Sequence, residues 1–407
     1  MIVQRVEKHQ LKYSKELDEL CFNSKNLYNY CNYLIRQSFF KDKVFLNEHK
    51  LSHQLSIDKQ EDWAKMGANT NQQILKLLFK NWISFFKTLK SYEIDPSKFL
   101  ERPKPPRYKH KSKGRNIVIF PCNNKTNIKN GLFHFPKFTK LKPIKTKVTN
   151  QNLCQARIIP LGKRFVLEIV YTIEVKEELE LNNNYLSIDL GVNNFATCYD
   201  SKNNKCFIMD GKVLKSYNQY WNKEKSRLQS ILEIVNHKKK SNRLNQLTLK
   251  RTNKINDYMN KTSKYILDYC KDNDITHIVI GHNKDWKQES NIGKVNNQKF
   301  VNIPHNRFIE LLKYKCENYS IEFIETEESY TSKTDHSSLE EMKHLEERAG
   351  KRKYRGLFKQ GNGKVINADL NGAIGILRKV IDESLFKEIV NRGFVINPNK
   401  ISIYLVK

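Results

Sequence analysis

The sequence predicts an α+β protein of several domains, and three observations lead to that prediction. The chain has 407 residues, which exceeds the usual size of a single hydrophobic core. Apolar residues recur with a helical period in residues 14–92, whereas later segments alternate as strands do. Between the two lies a basic, proline-rich segment, ERPKPPRYKHKSKGR at 101–115, which is too polar and too kinked for a core element. A domain boundary is therefore predicted there.

The first part of the chain is predicted to form a helical domain over residues 14–99. Its apolar side chains fall near the 3.6-residue spacing of a helix, which indicates the core of a helical bundle. The two stripes are Leu17, Leu20, Cys21, Leu27, Tyr28, Cys31, Leu34 and Ile35, and Leu75, Leu78, Phe79, Trp82, Phe86 and Leu89.

A small β-rich domain is predicted over residues 100–180, with residues 1–13 added as a strand. The strand-like pieces NIVIFP and GLFHFPKF are followed by QARIIP and RFVLEIVYTIEV, which form a pair joined around Leu161 and Gly162.

From Tyr185 the pattern predicts a mixed sheet within residues 181–407. YLSIDLGV, NFATCYD and KCFIMDG indicate a three-stranded meander, and a charged helical region at 216–272 follows. THIVIGHN is nearly continuous in apolar residues, as a strand buried on both faces should be, and a helix opened by Pro304 and the strand IEFIETEESY come next. Three strands followed by helix, strand, helix and strand is a ribonuclease H-like order, in which the first strand is central.

Three acids fall on separate elements of this sheet. Asp189 interrupts the first strand, Glu328 closes the strand that contains Ile324 and shares its face, and Asp369 begins an amphipathic helix. Each has an ordinary explanation as a turn residue, a solvated acid or a helix N-cap. Hard divalent cations need oxygen ligands, however, and two-metal phosphodiester cleavage needs several converging carboxylates. Together the three acids meet that need.

The charge of the chain points to a polyanionic partner. With 73 Lys and Arg against 43 Asp and Glu, the formal charge is +30, and nucleic acid is the obvious polyanion. Any single basic run is also explained by a solvated face or a nuclear import signal. Candidate contacts are Arg102, Lys104, Arg107, Tyr108, Lys109, Lys111, Lys113 and Arg115, then Lys238, Lys239 and Lys240 within 237–243, and Lys351, Arg352, Lys353, Tyr354 and Arg355.

Several classes of protein are disfavoured. No apolar run approaches the roughly 20 residues that span a bilayer, and the N-terminus lacks a secretory pattern. The eight cysteines include no CxxC pair, which argues against zinc and against a disulfide framework and favours an intracellular protein. The sequence lacks the GxxxxGK[ST] loop of an ATP-driven helicase. It also lacks the His-hydrophobe-His triplet of a single-strand transposase. A DDE transposase would place its Glu last, whereas the order here is Asp, Glu, Asp.

The strings SIDLGVNNFAT, ESYTSK and INADLNGAIGILRK, with RPKPPRYKHKSKGRN, ARIIPLGKRFVLEIVY and HNKDWKQ, resemble the TnpB (OrfB) proteins of insertion sequences and their Fanzor relatives. The resemblance implies a helical recognition lobe, a β-barrel wedge domain and a RuvC nuclease domain. It also implies RNA-guided cleavage of double-stranded DNA by a monomer, with an element-derived guide RNA and Mg²⁺ (Mn²⁺ as the alternative ion). The location would be the cytoplasm and nucleoid of a prokaryote or the nucleus of a eukaryote.

The resemblance assigns Asp189 as the first RuvC acid and Asp369 as the third. Most TnpB proteins place the second, a Glu, where this chain has Gly281, whereas Fanzor proteins and a subset of TnpB relatives supply it from the later strand, as Glu328. Glu327 is the main alternative, and His282 and Glu289 are more distant ones.

Two features depart from the family pattern. Residues 331–369 contain no cysteine, so no zinc is expected, and the charged segment 331–366 is predicted to be a loop over the cleft or a solvated insertion. Because the usual Glu is absent at Gly281, a nuclease-inactive, RNA-guided DNA-binding repressor or a transposition accessory protein is the alternative to an active endonuclease.

Overall fold

The computed structural model describes residues 2–122, 127–162, 164–175, 181–237, 240–283, 303–354, 356–395 and 397–404. The chain divides into two compact units, Met1–Glu174 and Val175–Lys407. The first unit holds both the helical and the β-rich segments, and their division into separate domains stays a prediction.

The first unit combines four α-helices with seven strands among its described residues. The helices are α1 (Lys15–Gln37), α2 (Glu48–Ile57), α3 (Glu61–Ala64) and α4 (Ala68–Ile94), with a π-helical turn at Ser38–Asp42 and 3₁₀ turns at Pro96–Lys98 and Lys137–Thr139. The strands are β1 (Ile2–Leu11), β2 (Val118–Pro121), β3 (Ile128–Lys129), β4 (Leu132–Phe133), β5 (Ile144–Lys145), β6 (Leu153–Pro160) and β7 (Phe165–Glu174).

Local sequence explains how the helices of this unit begin and pack. The Ser14 side chain accepts a hydrogen bond from the Leu17 amide and caps α1, whose first turn carries Glu16 and Asp18. The predicted stripes of α1 and α4 supply much of the core, and Trp82 is fully buried with its indole N–H donated to Asn32.

Antiparallel pairing builds the β-rich part. The larger sheet has the order β1-β7-β6-β2, and β1 pairs with β7 along its whole length. Strands β3, β4 and β5 form a separate small sheet, in the order β3-β4-β5, and they lie between β2 and β6 in the sequence. GLFHFPKF forms only a two-residue strand, because Pro136 cannot donate to a ladder and a 3₁₀ turn begins directly after it.

The second unit contains a six-stranded mixed sheet with the order β12-β11-β8-β9-β10-β16. Strands β8 to β10 form the predicted antiparallel meander, β11 and β12 add in parallel, and β8 lies in the interior of the sheet. The strands are β8 (Tyr185–Leu190), β9 (Asn194–Asp200), β10 (Lys205–Asp210), β11 (His277–Gly281), β12 (Glu322–Thr326), β13 (Lys351–Tyr354), β14 (Leu357–Lys359), β15 (Val365–Asn367) and β16 (Asn399–Ile401). The helices are α5 (Lys212–Asn236), α6 (Asn242–Asp272), α7 (His305–Cys316), α8 (Ala368–Arg378) and α9 (Glu383–Arg392), with a 3₁₀ turn at Glu317–Tyr319.

Helices cover both faces of this sheet. Leu186, Ile188 and Leu190 of β8 share a core with α6 and α7, whereas side chains from β9 and β10 pack with α8 and α9 in a second core. Because neighbouring side chains of a strand point to opposite faces, Asp189 lies on the face that α8 covers.

The segment 331–366, predicted to be a loop or solvated insertion, is folded. Strands β13, β14 and β15 form an antiparallel sheet, and Phe358 of β14 is buried. Glu340 accepts hydrogen bonds from Arg348 and from the amide of Asp335, and the Asp335 carboxylate accepts from the Gly361 amide at 2.6 Å. Carboxylates thus tie together turns that have no cysteine.

All eight cysteines are free thiols, and seven of them are buried. No helix in the described part of the chain is both long enough and apolar enough to cross a membrane.

His336 should make the stability of the protein sensitive to acid, because it lies buried in the folded segment 331–366. Its side chain is fully buried, and burial lowers the pKa to about 4, with Arg378 acting in the same direction and the Thr331 carbonyl, Asp335 and Glu340 opposing. The unfolded chain takes up the proton first, near the ordinary value of 6.5, so stability falls as the pH drops from 6.5 to 4.

We expect this residue to contribute about 3 kcal/mol to that loss. Urea unfolding of the wild type and of His336→Gln, measured from pH 7 downward, checks it, because the variant keeps an N–H donor but cannot titrate. Parallel curves for the two proteins would contradict the prediction.

Candidate functional site

Asp189 lies at the centre of the candidate site. It is near the end of β8, half-buried, and faces α8, where a Cβ added to Gly372 would come within 2.7 Å of its Oδ2. Burial raises the pKa of Asp189 well above its usual value, the negative charges of Glu328 and Asp369 raise it further, and Arg352 opposes them. Asp189 therefore lies close enough to both of the other predicted acids for their charges to act on it.

Asp369 is free for a role other than capping. Asn367 is the N-cap of α8 and accepts from the amides of Asp369 and Leu370, so the explanation of Asp369 as the cap is wrong. The Asp369 carboxylate instead accepts from the Asn194 side chain at 2.6 Å and lies 3.7 Å from the Arg352 guanidinium.

Glu328 occupies the space that a side chain at position 281 would fill. A Cβ added to Gly281 would lie 2.7 Å from both Cγ and Oε1 of Glu328 and 2.6 Å from Ile376. Strand β12 ends at Thr326, so its alternation does not orient Glu328 as predicted. The hydrogen bond from the Glu328 amide to the Asn283 side chain holds it there instead.

The Glu328 carboxyl is poorly solvated. Its Oε1 is buried and has no hydrogen-bond partner within the part of the chain that the structure describes. Burial raises its pKa to about 7, with a further contribution from Glu327 and an opposing one from Lys379.

The alternatives to Glu328 are engaged elsewhere. Glu327 accepts from Lys379 at 2.5 Å and from the Ser329 amide, which lowers its pKa, and its side chain is largely exposed. His282 Nδ1 lies 3.4 Å from Glu325, which also pairs with Lys313. Glu289 lies outside the described residues.

The donor set suits a hard divalent cation, since it consists of carboxylate oxygens and includes the buried Oε1 of Glu328, which accepts no hydrogen bond from any described residue. Across the described ranges, no three or more His, Cys, Asp and Glu side chains are grouped as a metal site would require. The carboxylates share one electrostatic environment but are not arranged as a completed ligand shell.

The predicted nucleic-acid contacts differ in how accessible they are. Arg115 forms a two-pronged pair with Asp18 and lies over Phe22, and Lys109 is half-buried over Tyr28. Lys104 pairs with Glu101 at the surface. The exposed candidates are Arg102, Arg107, Tyr108, Lys111, Lys113, Lys240, Lys351, Arg352, Lys353 and Tyr354, whereas Lys238, Lys239 and Arg355 lie outside the described residues.

Four polar side chains on one face of α1 fix the backbone of the basic segment, and sequence reasoning missed them. Their spacing of four, three and four residues is helical and was a usable signal. Lys25 donates to the Lys111 carbonyl at 2.6 Å, Asn29 exchanges two hydrogen bonds with the backbone of Lys109, and Asn32 and Arg36 both donate to the Pro106 carbonyl.

Two family models match the chain. Residues 168–287 match OrfB_IS605, described as a probable transposase, and residues 305–376 match the TNB domain of Cas12f1-like proteins. The predicted resemblance to OrfB is confirmed. The second match contains the folded segment 331–366. A comparison with curated proteins gave no match.

Solved structures with a similar chain include RNA-guided nucleases. A Cas12f1–sgRNA–target DNA complex is 17% identical with a TM-score of 0.37, and covers 92% of this chain and 98% of that one. The mini RNA-guided endonuclease CRISPR-Cas_phi3 is 11% identical with a TM-score of 0.48, covering 97% and 93%. CasPhi-2 (Cas12j) bound to crRNA and phosphorothioate DNA is 10% identical with a TM-score of 0.45, covering 93% and 91%.

The different environments of Lys113 and Arg115 give a matched pair of variants. Lys113→Ala should weaken binding of a short DNA duplex and reduce the slope of log affinity against log salt by about 1, while changing the unfolding free energy by less than about 0.5 kcal/mol. Arg115→Ala should lower the unfolding free energy by about 1–2 kcal/mol, because it breaks a partly buried ion pair and a cation–π contact.

Salt titrations of binding and urea unfolding of both variants check this difference. Equal loss of affinity in the two variants, with no loss of stability for Arg115→Ala, would show that Arg115 is available to nucleic acid after all.

Proposed function

We propose that this protein is an RNA-guided DNA endonuclease of a mobile element, and that residues 181–407 form a RuvC-like nuclease domain. In this proposal residues 14–99 are the recognition domain, and residues 1–13 and 100–180 are the wedge domain. The family matches support the general class. The observation that most favours an active nuclease over an inactive one is the position of Glu328. Its carboxyl fills the space that a side chain at Gly281 would occupy.

A repressor that binds guided DNA without cutting is the second candidate, because Gly281 replaces the usual acid. A decayed site would have no reason to keep a buried carboxyl at this point, since an unpartnered buried carboxyl destabilises the folded state. The absence of side chains at Gly281 and Gly372 instead makes room for two acids, which supports the nuclease.

Asp189, Glu328 and Asp369 would hold the divalent ions, and bound Mg²⁺ would supply Lewis-acid activation of water and of the scissile phosphate. The chain itself contributes the orientation of these acids. Asn194 fixes one oxygen of Asp369, and Arg352 approaches the other from β13. An exposed arginine at that position is also suited to a phosphate of the bound strand.

The partners in this proposal are a guide RNA transcribed from the element and a double-stranded DNA target. Base pairing would read the sequence, while the exposed cations of the basic segment would contact phosphates.

Cleavage of a plasmid library tests the proposal. The protein is co-expressed with its native flanking DNA, and cutting is measured in Mg²⁺. Asp189→Ala and Glu328→Gln should each reduce cutting by at least about a hundredfold, because each removes a ligand charge from the site. Glu327→Gln is the matched control and should cut normally.

Guided binding with no cutting by the wild type would favour the repressor. Loss of cutting in Asp189→Ala but not in Glu328→Gln would transfer the role of the second acid to Glu327 or His282.

A second variant tests the steric argument directly. Gly281→Ala places a methyl group where the Glu328 carboxyl lies, so it should displace that acid and sharply reduce cutting while guide RNA still binds. Gly356→Ala is the control, because a Cβ there meets no atom within 4 Å. Normal cutting by Gly281→Ala would show that the position of Glu328 does not matter to the reaction.

A further inference from the structure

A cavity of about 450 Å³ lies between helices α5 and α6. It is separate from the candidate site, because Asp189, Glu328 and Asp369 do not line it. Its walls combine aromatic and basic side chains. Those that matter for the argument are Tyr217, Tyr220, Trp221, Arg243, Lys250 and Lys254.

Trp221 gives the cavity a rigid wall. Its indole N–H donates to the Thr248 hydroxyl at 3.2 Å, and that hydroxyl in turn donates to the Leu244 carbonyl. The cations of Arg251 and Lys225 lie 4.6 and 4.7 Å from the centre of the indole rings. Of these two cations, Arg251 also lines the cavity, so its contact with Trp221 places positive charge there.

Tyr220 offers a flat aromatic surface. Tyr220 is 64% exposed although it lines the cavity, whereas the Lys254 ammonium lies 4.7 Å from the ring centre of Tyr217. An exposed aromatic ring at the edge of a basic groove is typical of a surface on which a nucleobase stacks.

The charge of the cavity is strongly positive. Four cationic side chains line it against a single acid, Glu224, and Arg227 already pairs with that acid at 2.8 Å. In the described part of the chain, no carboxylate pairs with Lys250 or Lys254. Two adjacent lysines at helical spacing are thus available to an anion.

We propose that this cavity binds one unpaired nucleotide of a single-stranded nucleic acid, with the base on Tyr220 and the phosphate at Lys250 and Lys254. The volume lies in the range of small-molecule sites and suits a nucleotide. A concave site between two helices cannot accept a base inside a continuous duplex, so the base must be unpaired. Whether the strand is guide RNA or displaced DNA rests on the proposed function, whereas nucleotide binding itself does not.

Binding of fluorescein-labelled five-nucleotide oligouridylate and oligothymidylate to the full chain, measured by anisotropy, tests the proposal. Tyr220→Ala should bind roughly tenfold more weakly, and Tyr220→Phe should bind normally, because stacking needs the ring and not the hydroxyl. Lys250→Ala combined with Lys254→Ala should reduce the salt slope by about 0.7 for each lost phosphate contact.

Two variants away from the cavity serve as controls. Tyr33→Ala removes an exposed tyrosine from α1, and Lys223→Ala removes an exposed lysine from α5 outside the cavity. Both should bind as the wild type does. Tighter binding of the RNA probe assigns the cavity to guide RNA, and tighter binding of the DNA probe assigns it to the displaced strand.

Photocrosslinking with 5-iodouracil in the same probes locates the contact. A crosslink at Tyr220 is expected. The proposal is overturned if neither probe binds, if Tyr220→Ala binds within about twofold of the wild type, if a control weakens binding equally, or if crosslinks occur only outside residues 217–254. Asp189→Ala should retain probe binding, so failure of the nuclease proposal and failure of this one are distinguishable.

Discussion

The close approach of α8 to β8 is the constraint on which the candidate site depends. At Gly372 a Cβ would lie 2.7 Å from Asp189, and at Gly375 it would lie 2.7 Å from the Thr331 carbonyl. Only a helix without side chains at these two points can lie against both the central strand and the 331–336 turn. The first turn of the same helix brings Asp369 into the field of Asp189, and the turn that it supports begins just after Glu328. One helix therefore determines where three acids from separate elements lie.

Packing brings these carboxylates together against their mutual repulsion. Burial and the two neighbouring acids raise the pKa of Asp189, which means that its charged form destabilises the folded state. Asn194 donates a hydrogen bond to Asp369, and the positive charge of Arg352 partly offsets the repulsion for both Asp369 and Asp189. The buried stripe of α8, which includes Leu370, Ile374 and Leu377, supplies the compensating apolar burial. A divalent cation bound at such a site would neutralise the carboxylates and so stabilise the folded state.

Sequence reasoning located Asp189 and Asp369 because each depends on local patterns, namely strand alternation and a helix start. It named Glu328 from the alternation of a strand that in the structure ends at Thr326, and it preferred Glu328 to Glu327 through a resemblance, since the contact between Glu328 and Gly281 joins residues far apart in sequence. The same limit explains why Arg115 was grouped with free cations, because its partner Asp18 lies on another element. The fold of 331–366 was missed because buried carboxylates, in place of cysteines, connect its turns.

The few acids of the first unit decide which of its many cations remain available. Asp18 forms an ion pair with Arg115, and Glu168 forms ion pairs with both Lys8 and Arg157. Lys25 is buried and donates to a backbone carbonyl, with no carboxylate in ion-pair distance among the described residues, and burial lowers its pKa. Because α1 holds the basic segment by its backbone, the side chains of that segment do not have to supply the contacts that fix it. The backbone that carries its exposed cations is thus already ordered, so a bound polyanion would offset their repulsion without first ordering the chain.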